Sequence, residues 1–150
     1  MRTQGNNKST TKLLNELDKV SNPELFLERN KTELNEETVS SYLGKMLSAY
    51  GIQKKEVLSR AEIDGEAYAY QIFDGRRDKP SRDKLIQLAF GFPLTISETA
   101  LLLEYAGYRA LSPRVPREAY ILFALQRKMS VSETNDLMEQ KGLKGLEWGL

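Results

Sequence analysis

Between Thr38 and Gly51 the chain reads TVSSYLGKMLSAYG, and Val39, Tyr42, Leu43, Met46, Leu47 and Tyr50 recur at alternating spacings of three and one. That period lays one apolar stripe along an α-helix, which Gly51 then stops. The next segment, QKKEVLSRA, is a short helix with Val57, Leu58 and Ala61 facing inward. A turn at EIDG leads to a helix from about Gly65 to Phe73. The loop DGRRDKPS follows: Gly75 supplies a left-handed helix end, and Pro80 with Ser81 starts another helix. Before these elements, Met1 to Thr11 is polar and predicted to be loose. Leu13, Leu14, Leu17 and Val20 then mark a helix, and Asn22 caps a further short one with Pro23 at its first position.

The rest of the chain carries an internal duplication. RDKLIQLAFGFPLTISETALLLEYAGY and REAYILFALQRKMSVSETNDLMEQKGL superpose at an offset of about 35 residues, a period in the range of helical hairpins. Arg82 matches Arg117, Ile86 matches Ile121, Ala89 matches Ala124, Leu102 matches Leu137 and Gly107 matches Gly142. Each copy repeats the triplet Ser-Glu-Thr, with Thr95 facing Glu98 and Ser130 facing Glu133 in the pattern of a capping box. That mechanism makes both triplets scaffold, not active sites. Two copies are too few for a free-standing solenoid, so both hairpins are expected to pack onto the preceding helices. No segment alternates as a strand does, and the predicted fold class is all-α.

Composition narrows the chemistry. The chain has 150 residues, 40% of them hydrophobic, enough for one core and too short for two ordinary domains. With 22 Lys and Arg against 21 Asp and Glu, no global basic field announces a nucleic-acid binder, so any such surface must be local. The absence of Cys and His removes disulfides, thiolate and imidazole metal ligands, and Cys–His or Ser–His–Asp nucleophiles. An enzyme would depend on carboxylates, Lys or Tyr, and no spacing converges these on a site. The expectation is no catalytic residue, no metal and no cofactor. No apolar run approaches the roughly 20 residues that span a bilayer, and the N-terminus lacks the apolar segment of a signal peptide. Both point to a soluble cytoplasmic protein.

KKEVLSRAEI followed by YQIFDGRRDKPSRDKLIQLA resembles the helix-turn-helix domain of the phage lambda repressor and of xenobiotic-response-element-family regulators. More narrowly, YAYQIFDGRRDKPSRDKLIQLAFG with PREAYILFAL is similar to a subgroup of these regulators found in Firmicutes and their phages, over about Phe26 to Gly142. The resemblance implies an N-terminal extension over 1–35, a helix-turn-helix domain over 36–92, a C-terminal helical extension over 93–143 and a tail over 144–150. The hairpin duplication spans 81–108 and 116–143. Three positions depart from the family pattern. Leu58 stands where Ala is common, and is expected to push the two helices apart. Glu62 stands where Gly is common, so the turn is expected to avoid a left-handed residue. One extra residue between Ala61 and Gly75 is expected to be absorbed at Asp64 and Gly65.

Carried over to this chain, the resemblance implies a transcriptional regulator that binds double-stranded DNA. Asp64 would cap the reading helix, Glu66, Ala67, Tyr70 and Gln71 would face the major groove, and Ile63, Ala69 and Ile72 would face inward. Glu66 suits a cytosine amino group, Ala67 a thymine methyl and Gln71 an adenine. Gln53, Lys54, Arg76, Arg77, Lys79 and Arg82 would hold the phosphate backbone. Bland alternatives stand beside these roles. Tyr68 and Tyr70 suit packed aromatics, Arg76, Arg77 and Lys79 with Asp74 and Asp78 suit a solvated turn, and Glu62, Asp64 and Glu66 repel a phosphate chain. A protein-interaction or adaptor module on the same scaffold is therefore the alternative function. A homodimer through the C-terminal hairpins is the expected assembly, because Tyr120, Leu122, Phe123 and Leu125 exceed one core-facing stripe.

Overall fold

A computed structural model of the chain describes residues 8–34, 37–77 and 79–149. Most of the opening expected to be loose, and Asp78 of the basic loop, lie outside the described residues. The chain forms two compact units, Met1–Glu36 and Glu37–Leu150.

In the first unit, α1 (Thr10–Lys19) starts two residues earlier than the polar opening suggested, because Ser9 accepts from the Lys12 amide as its cap. Asn22 caps α2 (Pro23–Arg29) in the same way, and a 3-10 turn follows at Lys31–Glu33. Neither helix buries a side chain. A polar knot holds the unit: the buried Asn30 donates to Glu16 at 3.2 Å and to the Phe26 carbonyl at 3.0 Å, and accepts from Lys8 at 2.6 Å. Leu14, Leu17, Leu25 and Leu27 remain exposed.

The second unit comprises α3 (Val39–Tyr50), α4 (Lys54–Arg60), α5 (Glu66–Phe73), α6 (Arg82–Gly91), α7 (Ile96–Tyr105), α8 (Pro116–Gln126) and α9 (Val131–Glu139). The described residues are all-helical, and none of their helices is long and apolar enough to cross a membrane. α6 lies at the centre, with every residue from Leu85 to Gly91 buried, as a helix must be when it is covered on all sides. α4 and α7 pack on α6, α3 packs on α5 and α7, and α8 packs on α7 and α9. No compact unit begins at 93. α6 closes the four-helix segment and opens the first hairpin, so a boundary there would cut the core.

Several bonds of the duplication are repeated in three dimensions. Thr95 with Glu98 and Ser130 with Glu133 form complete capping boxes, and Thr99 and Thr134 each bond the carbonyl four residues back. Gly107 and Gly142 both take the left-handed conformation after their helices, at φ 84° and 72°. Arg82 donates to the carbonyls of Arg109 and Ala110, and Arg117 to those of Lys144 and Gly145. The two copies also exchange ion pairs: Arg82 with Glu118 at 2.8 Å, and Arg117 with Asp83 at 3.0 Å. Thr95→Ala or Ser130→Ala removes one cap, so each is expected to lower stability by about 0.5–2 kcal/mol in thermal melts. A melting temperature equal to wild type would show that these triplets are not holding the hairpins.

Candidate nucleic-acid interface

α4 ends in a Schellman motif. The Ile63 amide reaches the Leu58 carbonyl at 3.0 Å, and the Glu62 amide reaches that of Ser59 at 3.1 Å. This geometry puts Glu62 itself in the left-handed region, at φ 56°, against the expectation that the turn avoids one. A non-glycine residue there costs about 1–2 kcal/mol, and specific bonds offset it. The Glu62 carboxylate accepts from both the amide and the hydroxyl of Ser132 in α9, and Gln87 of the buried α6 donates to the Ala61 carbonyl at 2.9 Å. The extra residue is taken up at Gly65, which is also left-handed, at φ 72°. Gly65, not Asp64, is the N-cap of α5, and no side chain bonds the first amides of that helix. Asp64 is simply exposed. Leu58 is buried, and α4 packs on α5 as well as on α6.

Ile63, Ala69 and Ile72 are buried. Of the expected reading positions, Glu66 and Ala67 are exposed and Tyr70 and Gln71 are half-buried. Gln71 is not idle: its side-chain oxygen accepts from Arg77 Nε at 2.7 Å. The helix stops at Gly75, φ 85°, and Ser40 of α3 ties the end down through the Phe73 carbonyl at 2.6 Å.

The expected phosphate contacts separate into two groups. Lys54 lies 5.7 Å from the Phe73 ring centroid, Arg76 pairs with Asp74 at 2.7 Å, and Arg77 stacks on Tyr68 at 4.5 Å. Lys54 and Arg76 thus lie at the C-terminal end of α5 and Arg77 folds back onto its first turn, and the hydrogen bond from Arg76 holds the Asp74 carboxyl below its ordinary range. Lys79, exposed, sits 5.0 Å from the Tyr108 ring, and Gln53 is exposed at the start of α4. Arg82 does not belong with them. Its guanidinium is taken by Glu118 and two carbonyls, and its side chain is only 18% exposed. The signal against a ligand role was its recurrence as Arg117, since a residue repeated with the scaffold serves the scaffold.

Two residues absent from the expected set lie at this surface. Trp148 meets Tyr68 edge-on, with ring centroids 6.1 Å apart, and Lys84 donates to the Trp148 carbonyl while lying 5.3 Å from the Tyr68 ring. The segment expected to be a tail is thus part of the core, with Leu146 and Trp148 buried. In sequence, Leu146 and Trp148 as apolar residues among polar neighbours were its only sign. On α8, Leu125 is buried, Tyr120 and Leu122 are half-buried, and Phe123 is exposed beneath Arg127 at 3.8 Å. The apolar excess on that helix is smaller than its composition suggested. No protein-family model, no curated protein and no solved structure matches this chain.

Proposed function

We propose that the protein is a sequence-specific DNA-binding transcriptional regulator, in which α4, its turn and α5 act as a helix-turn-helix and α5 enters the major groove. The observation that carries it is that three cations line α5, Lys54 at the Phe73 ring, Arg76 on Asp74 and Arg77 over Tyr68 and on Gln71, beside exposed Glu66 and Ala67 and half-buried Tyr70 and Gln71. Phosphate contacts from these cations fix the register, while the helix reads base edges. With its oxygen held by Arg77, Gln71 offers amide donors and so favours a purine N7 or O6 acceptor. Glu66 accepts from a cytosine amino group, and Ala67 meets a thymine methyl. The acidic start of α5 lowers affinity for any phosphate chain, so the protein acts as a homodimer on two half-sites about one helical turn apart. Exposed Phe123 in the second of the C-terminal hairpins is an apolar position available for that contact.

Sequencing genomic DNA captured by the purified protein at two salt concentrations tests this function, with light scattering of the same sample reporting the assembly. Replacing Arg76 and Arg77 together by Ala is expected to weaken binding to all sequences alike and to make the salt slope shallower by about one to two. An unchanged slope removes the basic loop from the interface. A specific observation favours a second function, since Asp64 and Glu66 are both exposed at the N-terminal turn of α5. Absence of any DNA enrichment would assign that face to a basic protein partner.

A further inference from the structure

We propose that the C-terminal segment Lys144–Gly149 is a strap that sets the angle of α5, with Trp148 as the positioning residue for the DNA-reading surface. The inference rests on the function proposed above and adds a part of the chain that the helix-turn-helix resemblance does not use.

The strap is anchored on the second hairpin. Arg117 donates to the Lys144 carbonyl at 2.7 Å and to that of Gly145 at 3.3 Å. The Asn135 side chain holds Leu146 like a β-partner, donating to its carbonyl at 2.8 Å and accepting from its amide at 2.7 Å. Gly145 lies so close to α9 that a Cβ would come within 2.9 Å of Asn135 Cγ and Glu139 Oε2. These contacts leave the segment little freedom, and it delivers Trp148, 6% exposed, to the flank of α5.

There Trp148 packs on Tyr68 in the first turn of that helix and stands beside Gly65. A Cβ on Gly65, the N-cap, would lie 3.8 Å from Trp148 Cδ1, and Tyr68 packs edge-on against the indole. Tyr68 in turn carries Arg77, a phosphate-contact candidate, at 4.5 Å. Lys84 of α6 closes the cluster, donating to the Trp148 carbonyl with its ammonium 5.0 Å from the indole. α5 needs such a wall. It has eight residues and no side-chain cap, and a helix this short has negligible stability of its own. α3 and α4 support its other side. The strap packs on Tyr68 beside Gly65, whereas Glu66 and Ala67 stay exposed with it in place, so it steers the reading face without covering it.

Trp148 is the single tryptophan of the chain, so its fluorescence reports the strap directly. In the full-length protein without DNA, Trp148→Ala is expected to speed hydrogen exchange of the α5 amides at least about tenfold while α8 exchange is unchanged, the signature of local opening. Trp148→Phe is expected to restore protection. On DNA, Trp148→Ala is expected to lose discrimination between preferred and random sequence with an unchanged salt slope, because the phosphate contacts remain. Trp148→Leu, which keeps apolar bulk without the aromatic edge, replaces the Ala variant if the whole unit unfolds. Unchanged α5 exchange in both variants would overturn the strap, whatever the protein does with DNA. Tighter specific binding by the Ala variant would overturn it as well, by making the segment a brake. Faster α5 exchange in a protein that enriches no DNA would leave the strap standing and overturn the proposed function.

Discussion

Gly91→Ala is expected to destabilise the protein by about 3 kcal/mol or more, at the upper end of overpacking costs. The opposite sign would hold for an exposed helical glycine, because replacing Gly by Ala in a helix ordinarily gains up to about 1 kcal/mol. Gly91 lies where α6 crosses α4, and a Cβ there would meet the Val57 carbonyl oxygen at 2.3 Å and Val57 Cγ1 at 2.7 Å. A side-chain end can swing away from such a clash, whereas a backbone carbonyl inside a helix cannot move without moving α4. Gly44, in the middle of α3 with nothing within 4 Å of its added Cβ, is the control, and Gly44→Ala is expected to raise the melting temperature. Urea titrations of both variants decide the point: a Gly91→Ala protein as stable as wild type would mean that α4 and α6 do not approach as described. Because α4 carries the turn to α5, a partly folded Gly91→Ala protein is also expected to lose the sequence-specific DNA binding proposed above.

Removing the buried carboxylate between the two hairpins is expected to be comparably severe. Glu118, 4% exposed, accepts from Arg82 at 2.8 and 3.2 Å, from Arg109 twice at 2.8 Å and from the Ser112 amide at 2.8 Å. Burial pushes its carboxyl up, but the bonds from Arg109, Arg82 and Ser112 outweigh that and hold it at about 2, against an ordinary value of 4.5. Glu118→Ala leaves Arg82 without its counter-ion in a partly buried position and is expected to cost about 3–5 kcal/mol, nearer the lower figure because Arg109 reaches solvent. The pH dependence follows from the depressed folded value. The stabilisation is complete above pH 4.5 and is lost as the pH falls through that value toward about 2, roughly 3 kcal/mol in all. Melting wild type and Glu118→Gln from neutral pH downward is therefore expected to show a gap that narrows as the solution becomes acidic. A constant gap would mean that the ionised carboxylate is not what joins the hairpins. The equivalent change in the more exposed reciprocal pair, Asp83→Ala, is expected to cost only about 1 kcal/mol.

The sequence by itself determined the helices, their order and the duplication. Local physics decides these: apolar spacing selects the buried face of α3, Gly51 and Gly75 stop their helices through a conformation other residues avoid, and Ser81, Thr95 and Ser130 cap through side chains within three residues. Each signal lies within one turn of the element it governs. What remained illegible lies in contacts between residues far apart in the chain. The Schellman end of α4 puts Glu62 in the left-handed region, and Ser132, 70 residues on, helps to offset the cost by holding its carboxylate. Asp64 reads as a cap in sequence, but the backbone leaves the Schellman turn in a direction that only Gly65 accommodates at the helix start. Arg82 and Arg77 are both basic residues near the same loop; the recurrence of Arg82 as Arg117 hints at a scaffold role, but only the tertiary structure shows that Glu118 takes the one and Gln71 of α5 the other. The fate of a cation depends on which carboxylate the fold brings within reach, and that Coulomb and hydrogen-bond balance is not a property of neighbours in sequence. The last residues show the same limit most plainly, since a polar run with two apolar side chains becomes core only where a cleft beside α5 receives Trp148.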